Sequence, residues 1–330
     1  MRAFTCPDCR HLVVFENLVC LHSETLLGFD WHAREFTRLS AGVACANREF
    51  AACNGLAEAS GYCLSCALTR TRPGDDDALG RERFAKAELA KRRLVFELLE
   101  LGLPVVGYRE QRGGLAFALL NSQRGDVTTG HAEGLITLDL AEADDAHRER
   151  LRTELDEPYR TLLGHLRHEI AHYYEPILCP EGSAARDRYR TLFGDERADY
   201  QAALDRHYAE GPPSDWSRRF VSAYATMHPW EDWAETFAHY LHIRDTLQTS
   251  VAYGVTVVGP GVVSADEAPL YSFPAAASDD IRGLLDTWLP MTYALNALNR
   301  SMGASDMYPF VLGPAVIEKL GFIDELVRNS

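Results

Sequence analysis

The sequence predicts an α+β protein: a small cysteine-rich module over residues 1–74, then a mostly helical domain with a small sheet over residues 75–330. Three observations predict it. Seven of the eight cysteines lie between Cys6 and Cys66. Thr71-Arg72-Pro73-Gly74-Asp75-Asp76-Asp77 is a Pro/Gly/acid stretch of the kind that links domains. Beyond it, apolar residues recur at three- and four-residue spacing through several long segments, interrupted by two short apolar runs of strand character. A chain of 330 residues has room for one large domain and a small one.

The start, Met1-Arg2-Ala3-Phe4-Thr5, lacks the apolar core of a secretory signal, so a cytoplasmic protein is expected. In that setting clustered cysteines point to zinc before disulfides. Cys45, Cys53, Cys63 and Cys66 make a four-thiolate set closed by a C-x-x-C knuckle. Cys6, Cys9 and Cys20 make a second set, one thiolate short. Residues 1–74 hold seven arginines, no lysine and seven acids, and the whole chain has a formal charge of −15. Phosphate affinity is built from clustered cations, so no nucleic acid is expected; the module either docks a protein or peptide or caps the larger domain. No run of about 18 apolar residues occurs, so no membrane span is expected.

Next in order, residues 81–101 read as an amphipathic helix with Lys91-Arg92-Arg93 on a solvated face. Residues 115–120 and 134–140 read as strands, with His131 in the turn before the second. From Glu157-Pro158 to Pro176 a helix is expected, with Pro158 at its first position and Pro176 as its stop. Tyr159, Leu162, Leu163, Leu166, Ile170 and Tyr173 form its apolar stripe. On it lies His168-Glu169-Ile170-Ala171-His172, an H-E-x-x-H pattern. Residues four apart share a helix face, so both rings can aim at one zinc ion while Glu169 reaches a water on it. With a third protein ligand one position stays open, the layout of a hydrolytic rather than a structural zinc.

Residues 183–222 look helical, with breaks at Gly194 and Gly211-Pro212-Pro213. His228-Pro229-Trp230 starts another helix, whose apolar side carries Trp230, Trp233, Phe237 and Leu241. Glu231 and Glu235 stand one turn apart on it. Such a pair repels on an exposed face, and a divalent cation gives it a reason to exist. Glu231 is assigned to the metal and Glu235 to the free N–H of His168 or His172; Asp232 and His239 are the competing third ligands. The tail adds a strand-like stretch at 255–258 and helices near 279–302 and 314–328, and Cys179 reads as a buried thiol.

H-E-x-x-H followed by a helix bearing E-x-x-x-E resembles the gluzincin metallopeptidases, and Glu231 to Phe237 is similar to the corresponding helix of anthrax lethal factor. The chain as a whole is similar to a bacterial family that joins a zinc ribbon to a zinc-binding metallopeptidase. Leu68-Thr69-Arg70-Thr71, Thr129-Gly130-His131, residues 138–145, 159–173, 193–200 and 228–242 carry that likeness. It implies a rubredoxin-like zinc ribbon over residues 1–74 and a zincin-like fold over residues 75–330. It implies His168, His172 and Glu231 as catalytic-zinc ligands, Glu169 as general base, and Tyr224, seven residues before Glu231, as donor to the oxyanion. His228, nearer the helix start, is the alternative donor. The strand before the active-site helix is implied to be the sheet edge, to which a peptide could add. The family pattern also expects a cysteine at position 23, where this chain has Ser23, so His22 is the substitute in a Cys6/Cys9/Cys20/His22 site. The expected function is zinc-dependent hydrolysis of peptide or amide bonds, with one catalytic and one or two structural zinc ions. The alternatives are a peptidase-fold adaptor with little turnover, whose ribbon binds a protein partner, and a metal hydrolase acting on other bonds.

Overall fold

The computed structural model describes residues 1–154, 161–257 and 280–330. By its contacts the chain divides into Met1–Glu169 and Ile170–Ser330, taken here in turn.

In the first part, β1 (Phe4–Thr5) pairs antiparallel with β2 (Leu12–Val13), and β3 (Leu27–Asp30) with β4 (Glu35–Arg38). Two single-turn helices follow, α1 (Arg48–Ala51) and α2 (Leu64–Ala67). Strands this short bury little among themselves, and the long helix α3 (Ala78–Glu100) completes their core. The buried Phe96 ring of α3 packs on Phe4, Phe15 and Phe29, with centroids 5.8, 5.1 and 6.0 Å away. Each such aromatic pair contributes about 0.5–1.5 kcal/mol beyond the area it buries. Ion pairs Arg2–Glu100, Arg34–Glu100 and Arg93–Glu16 tie the same surfaces together.

The basic triplet on α3 departs from expectation, since Lys91 and Arg92 are buried. A buried cation is tolerated when it is paired and hydrogen-bonded. Lys91 meets Glu88 Oε1 at 2.7 Å and the Thr69 hydroxyl, and Arg92 donates to the carbonyls of Ala51 and Ala52. Thr69, Ala51 and Ala52 come from the cysteine-rich segment, which charge counting along one helix does not see.

β5 (Thr69–Thr71) opens a four-stranded sheet with β6 (Ala116–Leu120), β7 (Gly130–Ala132) and β8 (Leu135–Asp139), in the order β5-β6-β8-β7. β5, β6 and β8 run parallel, and β7 is antiparallel to β8. The two expected strands are thus β6 and β8, but β8 lies inside the sheet and β7 forms the edge. Three residues are too few to show an alternation, which is why β7 escapes a reading by pattern. Gly134, at φ 85, makes the β7–β8 turn, and a Cβ there would sit 2.3 Å from the Gly113 carbonyl oxygen. His131 Nε2 accepts the Gly134 N–H at 3.1 Å, so this histidine serves the turn. Helix α4 (Asp145–Glu154) follows.

Helix α5 (Leu162–Leu178) crosses the division as one continuous helix. Leu162, Leu166, Ile170 and Tyr173 are buried as expected, while Pro158 and Tyr159 lie outside the described residues. Pro176 does not end the helix. It lacks one N–H, yet the turn is kept by the Cys179 N–H donating to the Glu175 carbonyl at 2.9 Å. Cys179 is fully buried, which pushes its thiol up to about 12.

In the second part, α6 (Ala184–Phe193) and α7 (Tyr200–Glu210) end at the expected glycines, and α8 (Pro229–Ala252) begins at the expected proline. Trp233, Phe237, Tyr240 and Leu241 of α8 are buried, and the Trp233 indole donates to the Ala171 carbonyl of α5 at 2.9 Å. α9 (Ile281–Ser301) and α10 (Pro314–Arg328) complete this part, with the Tyr240 hydroxyl on Asp324 at 2.9 Å. Residues 255–257 belong to no strand of the described sheets, and Val258 lies outside the described residues. Among the described residues no helix is long and apolar enough to cross a membrane.

Candidate metal centre

His168 and His172 stand one turn apart on α5, and Glu231 lies in the first turn of α8. Ring nitrogens of the two histidines and a Glu231 oxygen all fall within 4.8 Å of one another. His172 Nε2 is 3.6 Å from Glu231 Oε2, with both side chains buried. Two imidazoles and a carboxylate form the N/O donor set that zinc accepts while retaining an open position. The residues therefore fit the ion they are expected to hold. The Trp230 ring, with its centroid 4.1 Å from that of His172, covers one side of the site.

The competing ligands are engaged elsewhere. Asp232 pairs with Lys319 Nζ at 2.6 Å, and His239 Nδ1 lies 2.7 Å from the Tyr308 hydroxyl. Burial holds His239 down to about 4, which keeps it neutral. Glu235 is half-buried one turn beyond Glu231, and its charge is felt by His239 and Asp232.

Tyr200, at the first position of α7, donates its hydroxyl to Glu231 Oε1 at 3.0 Å. Tyr224 lies in a short helical turn before α8 and is hydrogen-bonded to Tyr200. Burial, then the nearby Glu231 charge, pushes its hydroxyl far above the ordinary tyrosine range, so it stays a proton donor. His228 caps α8: its Nδ1 accepts the Trp230 N–H at 3.1 Å, and its Nε2 lies 3.1 Å from the Ala198 carbonyl. With Nδ1 accepting, Nε2 carries the hydrogen and donates to Ala198, so both ring nitrogens are committed.

Glu169, beside the first histidine, is buried. His165, one turn earlier on the same face, sets its Nε2 3.2 Å from Glu169 Oε1 and its Nδ1 2.8 Å from Glu142 Oε2. Burial opposes charge on His165, but Glu142 and Glu169 outweigh it and raise the imidazole to about 9. Arg167, next to His168, is held by Glu97 of α3 at 2.8 Å.

In the cysteine-rich segment, Cys45, Cys53, Cys63 and Cys66 bring their sulfurs within 4.8 Å of one another, all buried. Backbone N–H groups point at them: Gly55 to Cys53 at 3.4 Å, Cys63 to Cys45 at 3.3 Å, and Cys66 to Cys63 at 3.5 Å. A Cβ on Gly55 would lie 2.7 Å from the Cys63 sulfur, so the cradle admits only glycine there. Four sulfurs in tetrahedral reach suit zinc.

Cys6, Cys9 and Cys20 form a second set, but His22 does not join all three; it falls with Cys9 and His11, its ring stacked on His11 at 3.5 Å. Ser23 occupies the fourth corner, its hydroxyl 3.4 Å from the Cys6 sulfur. Burial opposes ionisation of Cys6, yet hydrogen bonds from Ser23 and the backbone bring it down to about 6.

Reading the sequence singled out neither Tyr200 nor His165. The signal for His165 was present, since it lies four residues before Glu169 on one face. Tyr200 lies 31 residues before Glu231 and nothing local marks it.

Residues 80–326 match a family described as "Putative zinc-binding metallo-peptidase", and residues 3–77 match a zinc-ribbon domain. Proteins of Mycobacterium bovis and of two Mycobacterium tuberculosis strains, each bearing the name "uncharacterized protein", are 50% identical over 334 residues, covering 99% of this chain and 95% of theirs. No solved structure matches.

Proposed function

The chain belongs to the zinc-binding metallo-peptidase family, with a zinc-ribbon domain ahead of the peptidase segment, and from this premise we propose that it hydrolyses peptide bonds with Glu169 as general base. The observation that carries the reading is the convergence of His168, His172 and Glu231 beside a buried Glu169. His168, His172 and Glu231 would hold zinc, which when bound would supply Lewis acidity and lower the pKa of a water toward neutrality. Glu169 takes the water's proton on a carboxylate oxygen and returns it to the departing amine. Tyr224 is the donor to the oxygen of the attacked carbonyl, exchanging its hydrogen bond to Tyr200 for one to that oxygen, whereas His228 would have to give up its hold on the Ala198 carbonyl beside the α8 cap. Tyr200 keeps Glu231 oriented toward the metal. Structural zinc is proposed at Cys45/Cys53/Cys63/Cys66, and a further ion at Cys6/Cys9/Cys20 with Ser23 or His22 completing it.

Zinc content measured beside a peptide-library cleavage profile tests the reading. Zinc-loaded protein should cleave, and protein stripped by a chelator should not. Cleavage that persists without metal rejects it.

Two substitutions separate the tyrosines. Tyr224→Phe should keep its zinc and lose about 10²–10³-fold in kcat, as when one oxyanion donor is deleted. Tyr200→Phe should weaken zinc binding by about 10–100-fold. If Tyr200→Phe cuts kcat at full zinc occupancy while Tyr224→Phe is normal, the roles are exchanged.

Glu231→Ala should leave the centre without zinc under conditions that saturate wild type, whereas Glu235→Ala should cost about 10–100-fold in affinity. Metal retained by Glu231→Ala but lost by Asp232→Ala would reassign the third ligand.

A further inference from the structure

We propose that His165, backed by Glu142, is a positioning residue that clamps the Glu169 carboxylate through Oε1 and so fixes the orientation in which it exchanges the proton. The proposal rests on Glu169 being the general base. Its own observation is the row Glu142–His165–Glu169, with contacts of 2.8 and 3.2 Å among side chains no more than 18% exposed.

A general base needs one orientation, because a proton is transferred only along a short, aligned hydrogen bond. A glutamate reaching into a cleft has three rotatable bonds to fix. Helix α5 fixes the Cα of Glu169, and an imidazole one turn earlier fixes the carboxylate by holding Oε1. To touch both carboxylates His165 must donate from both nitrogens, which requires the imidazolium. The charges then alternate along the row, so each is partly offset by its neighbour. Burying such a row is not a cheap way to stabilise a fold, since an apolar trio of equal volume would do as well or better. Glu142 comes from the short helical turn after β8, so the clamp is anchored in the sheet rather than on α5 alone.

The test uses full-length, zinc-loaded protein and acetohydroxamate, which chelates zinc and gives up a proton to a neighbouring carboxylate. His165→Ala should keep its zinc, bind acetohydroxamate about tenfold more weakly, and lose kcat with KM unchanged. In a Glu169→Gln background the same change should add nothing, because its effect runs through Glu169. Glu142→Gln, which keeps its volume, should show a smaller loss with the same cancellation, and it decides the matter if His165→Ala fails to fold. Unchanged acetohydroxamate affinity, a loss that persists in the Glu169→Gln background, loss of zinc, or a zinc-loaded wild type that does not bind the probe overturns the proposal. Failure of the peptidase reading looks different: the probe binds through Glu169 while no peptide is cleaved.

Discussion

Glu169→Gln is expected to keep its full zinc content and to lose about 10²–10⁴-fold of peptide cleavage. The amide is nearly isosteric with the carboxylate but cannot take a proton at neutral pH. His168, His172 and Glu231 remain, so the ligand set is intact. The measurement is kcat on a peptide from the cleavage profile, with zinc counted in the same sample. A variant with zinc lost alongside activity would make Glu169 a structural member of the site. Undiminished turnover would remove it as the base and favour an adaptor built on a peptidase fold.

Loss of the metal at Cys45/Cys53/Cys63/Cys66 is expected to unfold the cysteine-rich segment and disturb α3 with it. Small modules of this kind derive about 10–16 kcal/mol of apparent folding free energy from their zinc. Without the ion, four buried sulfurs face one another where no disulfide is formed. The Cys66 sulfur lies 3.6 Å from Glu88 of α3, itself paired with the buried Lys91, so the disturbance reaches that helix. Cys63→Ala should therefore contain one zinc fewer and lose the fluorescence signature of the buried Trp31, as well as part of its helical circular dichroism. A variant with native spectra and one zinc fewer would show that the ion is dispensable to the fold.

Much of this was legible in the sequence. The two helices of the centre could be phased from H-E-x-x-H and from His228-Pro229-Trp230, because helix period and an N-terminal proline are local signals. The four-thiolate set followed from spacing. What stayed hidden depends on distant partners: the hold of Thr69 on the buried Lys91, the reach of Tyr200 to Glu231, and the commitment of His228 to the Ala198 carbonyl. The position of β8 inside the sheet was hidden as well, since β7 is too short to announce itself.

Adjacent residues of α3 look in two directions. Phe96 fills the aromatic core of the cysteine-rich segment, and Glu97 grips Arg167, the residue before His168. Recombination at Pro73-Gly74 would therefore hand a new partner a ribbon without its keystone and leave the peptidase with an orphaned phenylalanine. Exchange of the ribbon for a foreign counterpart thus requires Phe96, and the pocket that receives it, to travel with it.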